Sequence, residues 1–414
     1  MPENWKTYKL GDLIEVNSNS IRKGELEWLH YIDIKSVGSG FYESPTKLDF
    51  KDAPSRARRL LLEGDTVISS VRPNLKSFFY ANNLKENTIA STGFAVLTPK
   101  KIDPRFLYYL TTNDNYIDFL VQSCTGSAYP AFGPKVVTDS TVTIPEIKEQ
   151  RAIASILSAI DDKIENNLAM NKTLEDMAMA LYKHWFVDFG PFKDGKFIDS
   201  ELGKIPEGWE VKTYSDITTK ITDGAHYSPK TYDKGFPMAS VKDMNAWGFN
   251  LNTCRIIGED DYNKLVSQGC QPLKNDIVIA KDGSWLKHAF VVEHDLPLVL
   301  LSSIAILRPN GTLNPHLINL NLKLEETKGR MASIVTGAVI QRIVLKDFRK
   351  FEVVVPDIKS QENACKDIVP LIEKCWANNN ENQTLTQLRD TLLPKLISGE
   401  VRLKEFKEKI TAAL

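Results

Sequence analysis

Apolar residues recur at steps of three and four through a long stretch: Ile153, Ile156, Ile160, Ile164, Leu174, Ala178, Leu181 and Trp185, with Asn167 and Asn171 filling the two middle positions. That spacing holds one stripe on one helical face and predicts a coiled-coil seam with a polar centre. Moving 211 positions along the chain, the stripe returns as Leu371, Cys375, Asn378, Asn382, Leu385, Leu392 and Leu396. Both asparagines fall at equivalent positions, and from Leu371 onward only Ala178 against Arg389 breaks the pattern. Buried asparagine weakens a seam but rejects slipped registers, so Asn167, Asn171, Asn378 and Asn382 are assigned a register-setting role. Neither stripe can be hidden by its own helix. The simplest solution packs two helices of about 40 residues, each roughly 60 Å long, antiparallel around a pseudo-twofold axis. Pro370 and Pro394 lie inside the second stripe and predict a break or kink near the first and an end near the second, because proline removes a backbone donor and crowds the preceding turn.

The repeat extends well beyond the helices. Residues 144–150 read IPEIKEQ and residues 355–361 read VPDIKSQ, each closing a β-like stretch and opening a helical one. The halves open alike as well: Trp5, Asp12 and Leu13 align with Trp209, Asp216 and Ile217. Short β-rich stretches at 29–34, 66–71, 77–80 and 93–98 are separated by turn signals. The block at 64–69 matches 275–280, that at 94–99 matches 304–309, and Thr125-Gly126 matches Thr336-Gly337. Each half also carries an expected helix, 104–120 and 315–332, opened by a proline suited to a first turn. The fold class is therefore two similar α/β (α+β) domains joined by two long antiparallel coiled-coil helices with pseudo-twofold symmetry. Boundaries are placed at 1–145 (first domain), 146–190 (first helical spacer), 191–208 (a Gly/Pro-bearing linker), 209–355 (second domain), 356–400 (second spacer) and 401–414 (tail).

Composition narrows the class without naming a partner. At 414 residues, the chain is long enough for at least two hydrophobic cores. A net charge of −1 excludes a histone-like coat but is compatible with a local basic face. Five scattered cysteines with no CxxC pair read as reduced thiols in a cytoplasmic protein. No signal peptide is expected. The most apolar run, 296–307, is about half the ~20 residues of a membrane-spanning helix and is broken by Ser302 and Ser303, so it reads as a buried strand or strand pair.

Catalytic signatures are missing. The nearest match to the Asn/Asp-Pro-Pro-aromatic motif of amino-methyltransferases is Asn314-Pro315-His316-Leu317, which lacks the second proline and the aromatic. There is no GxxxxGK[ST] phosphate loop and no complete dinucleotide fingerprint around Gly38 and Gly40. Pro356-Asp357-Ile358-Lys359 has the outline of a PD-(D/E)xK nuclease, but its counterpart Pro145-Glu146-Ile147-Lys148 marks it as a helix start. The six histidines form no ligand cluster, so no metal site is expected. Binding is what remains, and two similar domains on a rigid spacer predict a bipartite target on one duplex.

Three segments carry a resemblance that spans the chain: residues 181–189 (LYKHWFVDF), 205–211 (IPEGWEV) and 393–401 (LPKLISGEV). They resemble the signatures of type I restriction-modification specificity subunits. The resemblance implies two target recognition domains, each reading half of an asymmetric interrupted DNA sequence, with helices as spacer. It implies no catalysis and no cofactor in this chain. Two modification subunits using S-adenosylmethionine to methylate adenine N6 would dock on it, together with restriction subunits using ATP and Mg. A coiled-coil scaffold pairing two protein-binding domains is the alternative from another class, distinguished by failure to bind duplex at any salt concentration. The specificity portion of a related type II-like modification system is a nearer one.

With the seams facing inward, DNA contacts are expected from domain loops. The turns after the matched strands contribute Arg72, Asn74 and Lys76 in the first domain, and Lys281, Asp282, Ser284 and Trp285 in the second. A second pair of loops follows each Thr-Gly, with Ser127, Tyr129 and Lys135 in one and Gln341 and Arg342 in the other. Arg56, Arg58 and Arg59 form a denser basic group suited to phosphates. Asp223, His226 and Tyr227 complete the candidates. Trp185 and Phe186 read as core residues at the end of the helix pair.

Overall fold

The strands at the centre of each half, Thr66–Ser69 and Ile277–Ala280, are short runs rich in β-branched residues with no polar alternation, and every residue in them is buried. Strands covered on both faces read this way. In the computed structural model, which describes residues 4–22, 24–126, 129–283, 285–337 and 339–401, they are third in two four-stranded antiparallel sheets of the same order. The first sheet runs Ile14–Val16, Phe94–Pro99, Thr66–Ser69, Phe78–Tyr80. The second runs Thr218–Asp223, Ile304–Pro309, Ile277–Ala280, Ala289–Val291. The chain divides into two units, Met1–Glu165 with Asn382–Leu414, and Asn166–Glu381. Each unit holds one of these sheets and part of both long helices.

Alternation along these strands separates two cores within each unit. Ile277, Ile279, Ala305 and Leu307 join one apolar cluster, while Val278, Ala280, Ile304 and Ile306 join another. In the first unit Ile68, Ala95 and Leu97 face one cluster, and Val67, Phe94 and Val96 the other. Successive side chains of a strand point to opposite faces, so a single run serves both. The buried run at 296–307 is a strand pair, Val299–Leu300 and Ile304–Pro309. A further sheet in each unit contains one parallel pairing, Trp28–Ile32 with Thr88–Ser91 and Phe236–Ala239 with Val299–Leu300. The strands that open each half also close it: Lys6–Lys9 pairs with Thr141–Ile144, and Glu210–Thr213 with Glu352–Val355.

The repeated segment works through its last residue. Gln150 is buried, donates to the Pro145 carbonyl at 2.9 Å and accepts from the Asp103 amide at 2.9 Å. Gln361 is buried too, donates to the Pro356 carbonyl at 2.9 Å and accepts from the Asn314 amide at 3.1 Å. Asp103 and Asn314 are the N-caps of the helices Pro104–Thr112 and Pro315–Lys323. One amide side chain thus ties the start of a long helix to the start of a domain helix in each unit. Asp357, the acid of the nuclease-like tetrapeptide, accepts from Ser360 N at 3.0 Å and from Trp209 Nε1 at 3.1 Å, which caps the helix and anchors the opening tryptophan.

The long helices are Ile147–Phe186 and Ile358–Ile397. They run antiparallel within each unit: Ile164 meets Asn382 and Asp161 meets Arg389 in the first, and Asn171 meets Asn378 in the second. All four seam asparagines are buried. Asn378 donates to Asn171 Oδ1 at 2.8 Å, Asn171 to the Cys375 carbonyl at 3.2 Å, and Asn167 to Glu381 Oε2 at 2.8 Å. Asn382 donates to the Ile164 carbonyl at 3.4 Å. A slip by one turn would leave these amides facing apolar side chains, which is the penalty that fixes register.

Two expectations, a break at Pro370 and single domain helices, are corrected. Pro370 does not break the second helix: it lies on the exposed face, where the orphaned carbonyl of the preceding turn can be solvated, while Ile368 and Ile372 are packed on the other side. The helix ends at Ile397, near Pro394 as expected, closed by Ser398 N to the Pro394 carbonyl at 3.0 Å and by Gly399 at φ +72°. Each expected domain helix is two helices. Asn113 divides Pro104–Thr112 from Asp114–Gln122 and caps the latter, and Leu324 divides Pro315–Lys323 from Glu325–Met331. The stretch read as a linker contains a hairpin, Phe197–Ser200 with Gly203–Pro206. Beside it Trp185, Phe186, Phe189, Phe192 and Trp209 form an aromatic cluster, as expected of a helix end in a core.

Replacing Gln150 or Gln361 by alanine strands buried backbone groups in one unit and is expected to lower stability by about 1–3 kcal/mol, read as a shift in the urea midpoint. His316 is buried against Trp376, with no partner for Nδ1, and burial lowers its pKa from 6.5 to about 4. Its contribution is fully present above the unfolded value and is lost as pH falls through the folded one, so stability should drop by on the order of 3 kcal/mol across that window. His316→Phe should flatten the pH dependence of the urea midpoint over the same range.

Candidate nucleic-acid interface

The two loops nominated in each domain are joined by backbone hydrogen bonds into a single surface. In the first unit Val71 bridges Ala131, the Arg72 amide donates to the Pro130 carbonyl at 2.8 Å, and the Phe132 amide to the Ser70 carbonyl at 3.0 Å. In the second, Asp282 bridges Arg342, the Gly283 amide donates to the Gln341 carbonyl at 2.7 Å, and the Ile343 amide to the Lys281 carbonyl at 3.0 Å. Every donor and acceptor maps onto its counterpart at a shift of 211. The backbone wiring is shared and the side chains on it differ.

Local conformation explains the glycines. Gly126 and Gly337 of the repeated Thr-Gly have φ of +91° and +105°, and a Cβ on Gly337 would meet the Ile340 carbonyl oxygen at 2.2 Å. Gly283 is also left-handed, at +76°, and its counterpart Arg72 adopts +50° despite carrying a side chain. A non-glycine residue there costs roughly 1–2 kcal/mol.

In the first unit the exposed Arg72 guanidinium lies 4.7 Å from the centre of the Tyr129 ring, and Tyr129 is 70% exposed. Asn74 and Lys76 follow on the same exposed turn, with Lys76 paired to Asp114 at 2.7 Å, and Lys135 is exposed on the short helix Pro134–Asp139. Arg56 is exposed. Arg58 donates to the Ala57 carbonyl at 2.9 Å and lies over Phe50, and Arg59 donates to Ser20 Oγ at 3.0 Å. Burial lowers the Arg59 pKa, and Arg56 is the exposed member of this group.

In the second unit Trp285 is half-buried and donates through Nε1 to Gln341 Oε1 at 3.1 Å, beside the exposed Arg342. Lys281 lies differently from a solvated loop lysine. Its side chain is 9% exposed and pairs with Asp223 at 2.8 Å and Asp282 at 3.6 Å. Asp223 also receives His226 Nε2 at 3.1 Å, so Lys281 and Asp223 fasten the loop bearing exposed His226 and Tyr227 to the strand end at residue 280. Ser127 and Ser284 lie outside the described residues.

Sequence reasoning missed the apolar members of these loops. Leu75, Val339 and Ile340 are 62%, 96% and 62% exposed. They sit in or next to the loops joined by the backbone bridges, in solvent despite being apolar. Among the described residues no His/Cys/Asp/Glu cluster suits a metal, and no helix is long and apolar enough to cross a membrane.

A family model described as the type I restriction modification DNA specificity domain matches residues 2–176 and again residues 206–387. The specificity subunit of the type I restriction enzyme MjaIX of Methanocaldococcus jannaschii is 26% identical over 425 residues, covering 98% of this chain and 95% of its own. That of type I restriction enzyme HindI of Haemophilus influenzae is 25% identical over 468 residues, covering 96% of this chain and all of its own. The crystal structure of the type I restriction-modification S subunit from M. genitalium superposes with a TM-score of 0.54 at 18% identity, over 95% of this chain and 96% of that one, which is a likeness of fold. Matched twice by one model over most of its length, the chain belongs to the family of type I restriction-modification DNA specificity subunits.

Proposed function

We propose that each unit reads one half of a bipartite, asymmetric duplex target through its joined loops, and that the long helices set the gap between the half-sites. The observation that carries this is the common loop wiring with unlike side chains: Arg72, Asn74, Lys76, Tyr129 and Lys135 in the first unit, Trp285, Gln341 and Arg342 in the second. A shared scaffold with different polar and aromatic groups suits two different short sequences. Arg56 contacts phosphate, His226 and Tyr227 flank the second surface, and Lys281 with Asp223 positions it. The chain itself is non-catalytic and carries no cofactor. It works in the cytoplasm with two modification subunits, which supply S-adenosylmethionine and adenine-N6 methylation, and with restriction subunits that use ATP and Mg.

Mapping N6-methyladenine in host DNA should return one interrupted motif. Arg72→Gly relieves the left-handed strain, so the melting temperature should change little. The same substitution should degrade one half-site of the methylation motif, at about 1–3 kcal/mol of lost discrimination, while the other half stays unchanged. Loss of both half-sites, or of neither, would refute the assignment. Inserting four residues, about one helical turn, in each long helix, after Asn171 and immediately before Asn378, should lengthen the gap and leave both half-site sequences intact. An unchanged gap in the methylation map counts against the ruler.

A further inference from the structure

The mismatch within the matched seam from Leu371 onward, Ala178 against Arg389, marks a layer built differently in the two units. In the first unit Asp161 accepts from the Tyr109 hydroxyl at 2.6 Å and from Arg389 NH1 at 3.1 Å. The two charged side chains are 23% and 31% exposed. Arg389 also donates to Asp390 at 2.9 Å, and Arg105 pairs with Asp162 at 3.1 Å alongside. Shifted by 211, the same positions in the second unit are Ile372 for Asp161, Leu320 for Tyr109 and Ala178 for Arg389, all buried in one apolar cluster. One unit closes this layer with an ion pair and the other with hydrocarbon.

We infer that the Asp161–Arg389 pair, backed by Tyr109, makes the helix pairing one-sided: each long helix accepts the other helix of this chain and rejects a second copy of itself. The rest of the seam is nearly self-complementary, since Ile160 corresponds to Leu371, Leu157 to Ile368, and the asparagines to each other. The asparagine layer mainly sets register: Asn171 would find Asn167 of a second copy where it now finds Asn378, and only Asn167 would lose a partner, facing Met170 where it now meets Glu381. The ion-pair layer tells self from partner. Two first helices packed antiparallel set Asp161 against Ala178 of the other copy, and two second helices set Arg389 against Ile372. By symmetry each mispairing strands a partly buried charge twice, whereas the native pairing strands none. Phe186 and Ile397, equivalent positions near the two helix ends, are both buried and apolar and add no discrimination. This inference is independent of which DNA is read.

The test uses the full chain with a protease site placed in the exposed turn Lys193–Lys196 and cut after folding. Tagged and untagged nicked proteins are mixed, the tagged first fragment is captured, and co-captured untagged first fragment is counted. The native sequence should give 1:1 pairs of first and second fragments with first–first pairs at background. Asp161→Ile with Arg389→Ala, which makes the layer alike in both halves, should raise first–first pairs at least tenfold, and the charge swap Asp161→Arg with Arg389→Asp should keep them at background. An unchanged count in the apolar variant, or a raised count in the charge swap, overturns the inference. A second measurement on the uncut chain stands even if the apolar variant does not fold. Arg389→Ala should lower the melting temperature more than Asp161→Ala combined with Arg389→Ala, because the single change leaves a carboxylate unpaired, and additive losses would equally overturn it.

Discussion

A forty-residue helix with an apolar stripe along it cannot remain solvated by itself, and the chain meets that constraint by writing the stripe twice and packing the copies antiparallel. What makes the packing specific is polar. Asn171 and Asn378 join side chain to side chain, and Asn167 and Asn382 reach Glu381 and the Ile164 carbonyl, so any other register buries amides without partners. A purely aliphatic seam would hold more tightly but tolerate slippage.

The domains are tied to these helices by short covalent and hydrogen-bonded links. Gln150 and Gln361 connect strand end, helix start and domain-helix cap in each unit, and the opening strand of each half pairs with the strand that leads into its long helix. Loop position is therefore inherited from rigid elements. The joined loops hang from the central sheet strands, with Ser70 N on the Gly93 carbonyl and Lys281 N on the Ser303 carbonyl at 2.9 Å in both units. Side chains on such a frame can vary without altering its backbone, which is the physical requirement for reading different sequences with one fold.

Where local signals were strong, the sequence was legible. The seam, the asparagines, the matched strands, the Thr-Gly loops and the helix start at the repeated segment all follow from periodicity, φ preference and repetition. The errors have local causes. The intrinsic cost of proline predicts a break at Pro370 until its position on the exposed face is known, and the split at Leu324 has no capping side chain to announce it. Lys281 is a DNA-contact candidate from its place in the turn, and its pairing with Asp223, 58 residues away, is not legible in the sequence because an ion pair of that separation leaves no periodic trace.

By itself the sequence determined the duplicated plan, the facing stripes, the polar register layer and the absence of recognisable catalytic motifs, since each is a matter of residue type and spacing along one chain. The tertiary structure decided that the two loops of each half form one surface, that Arg72 stacks on Tyr129 while Lys281 is withdrawn, and that Arg389 answers Asp161. These depend on which distant segments the sheets bring together, and burial, hydrogen bonding and charge pairing act between neighbours in space.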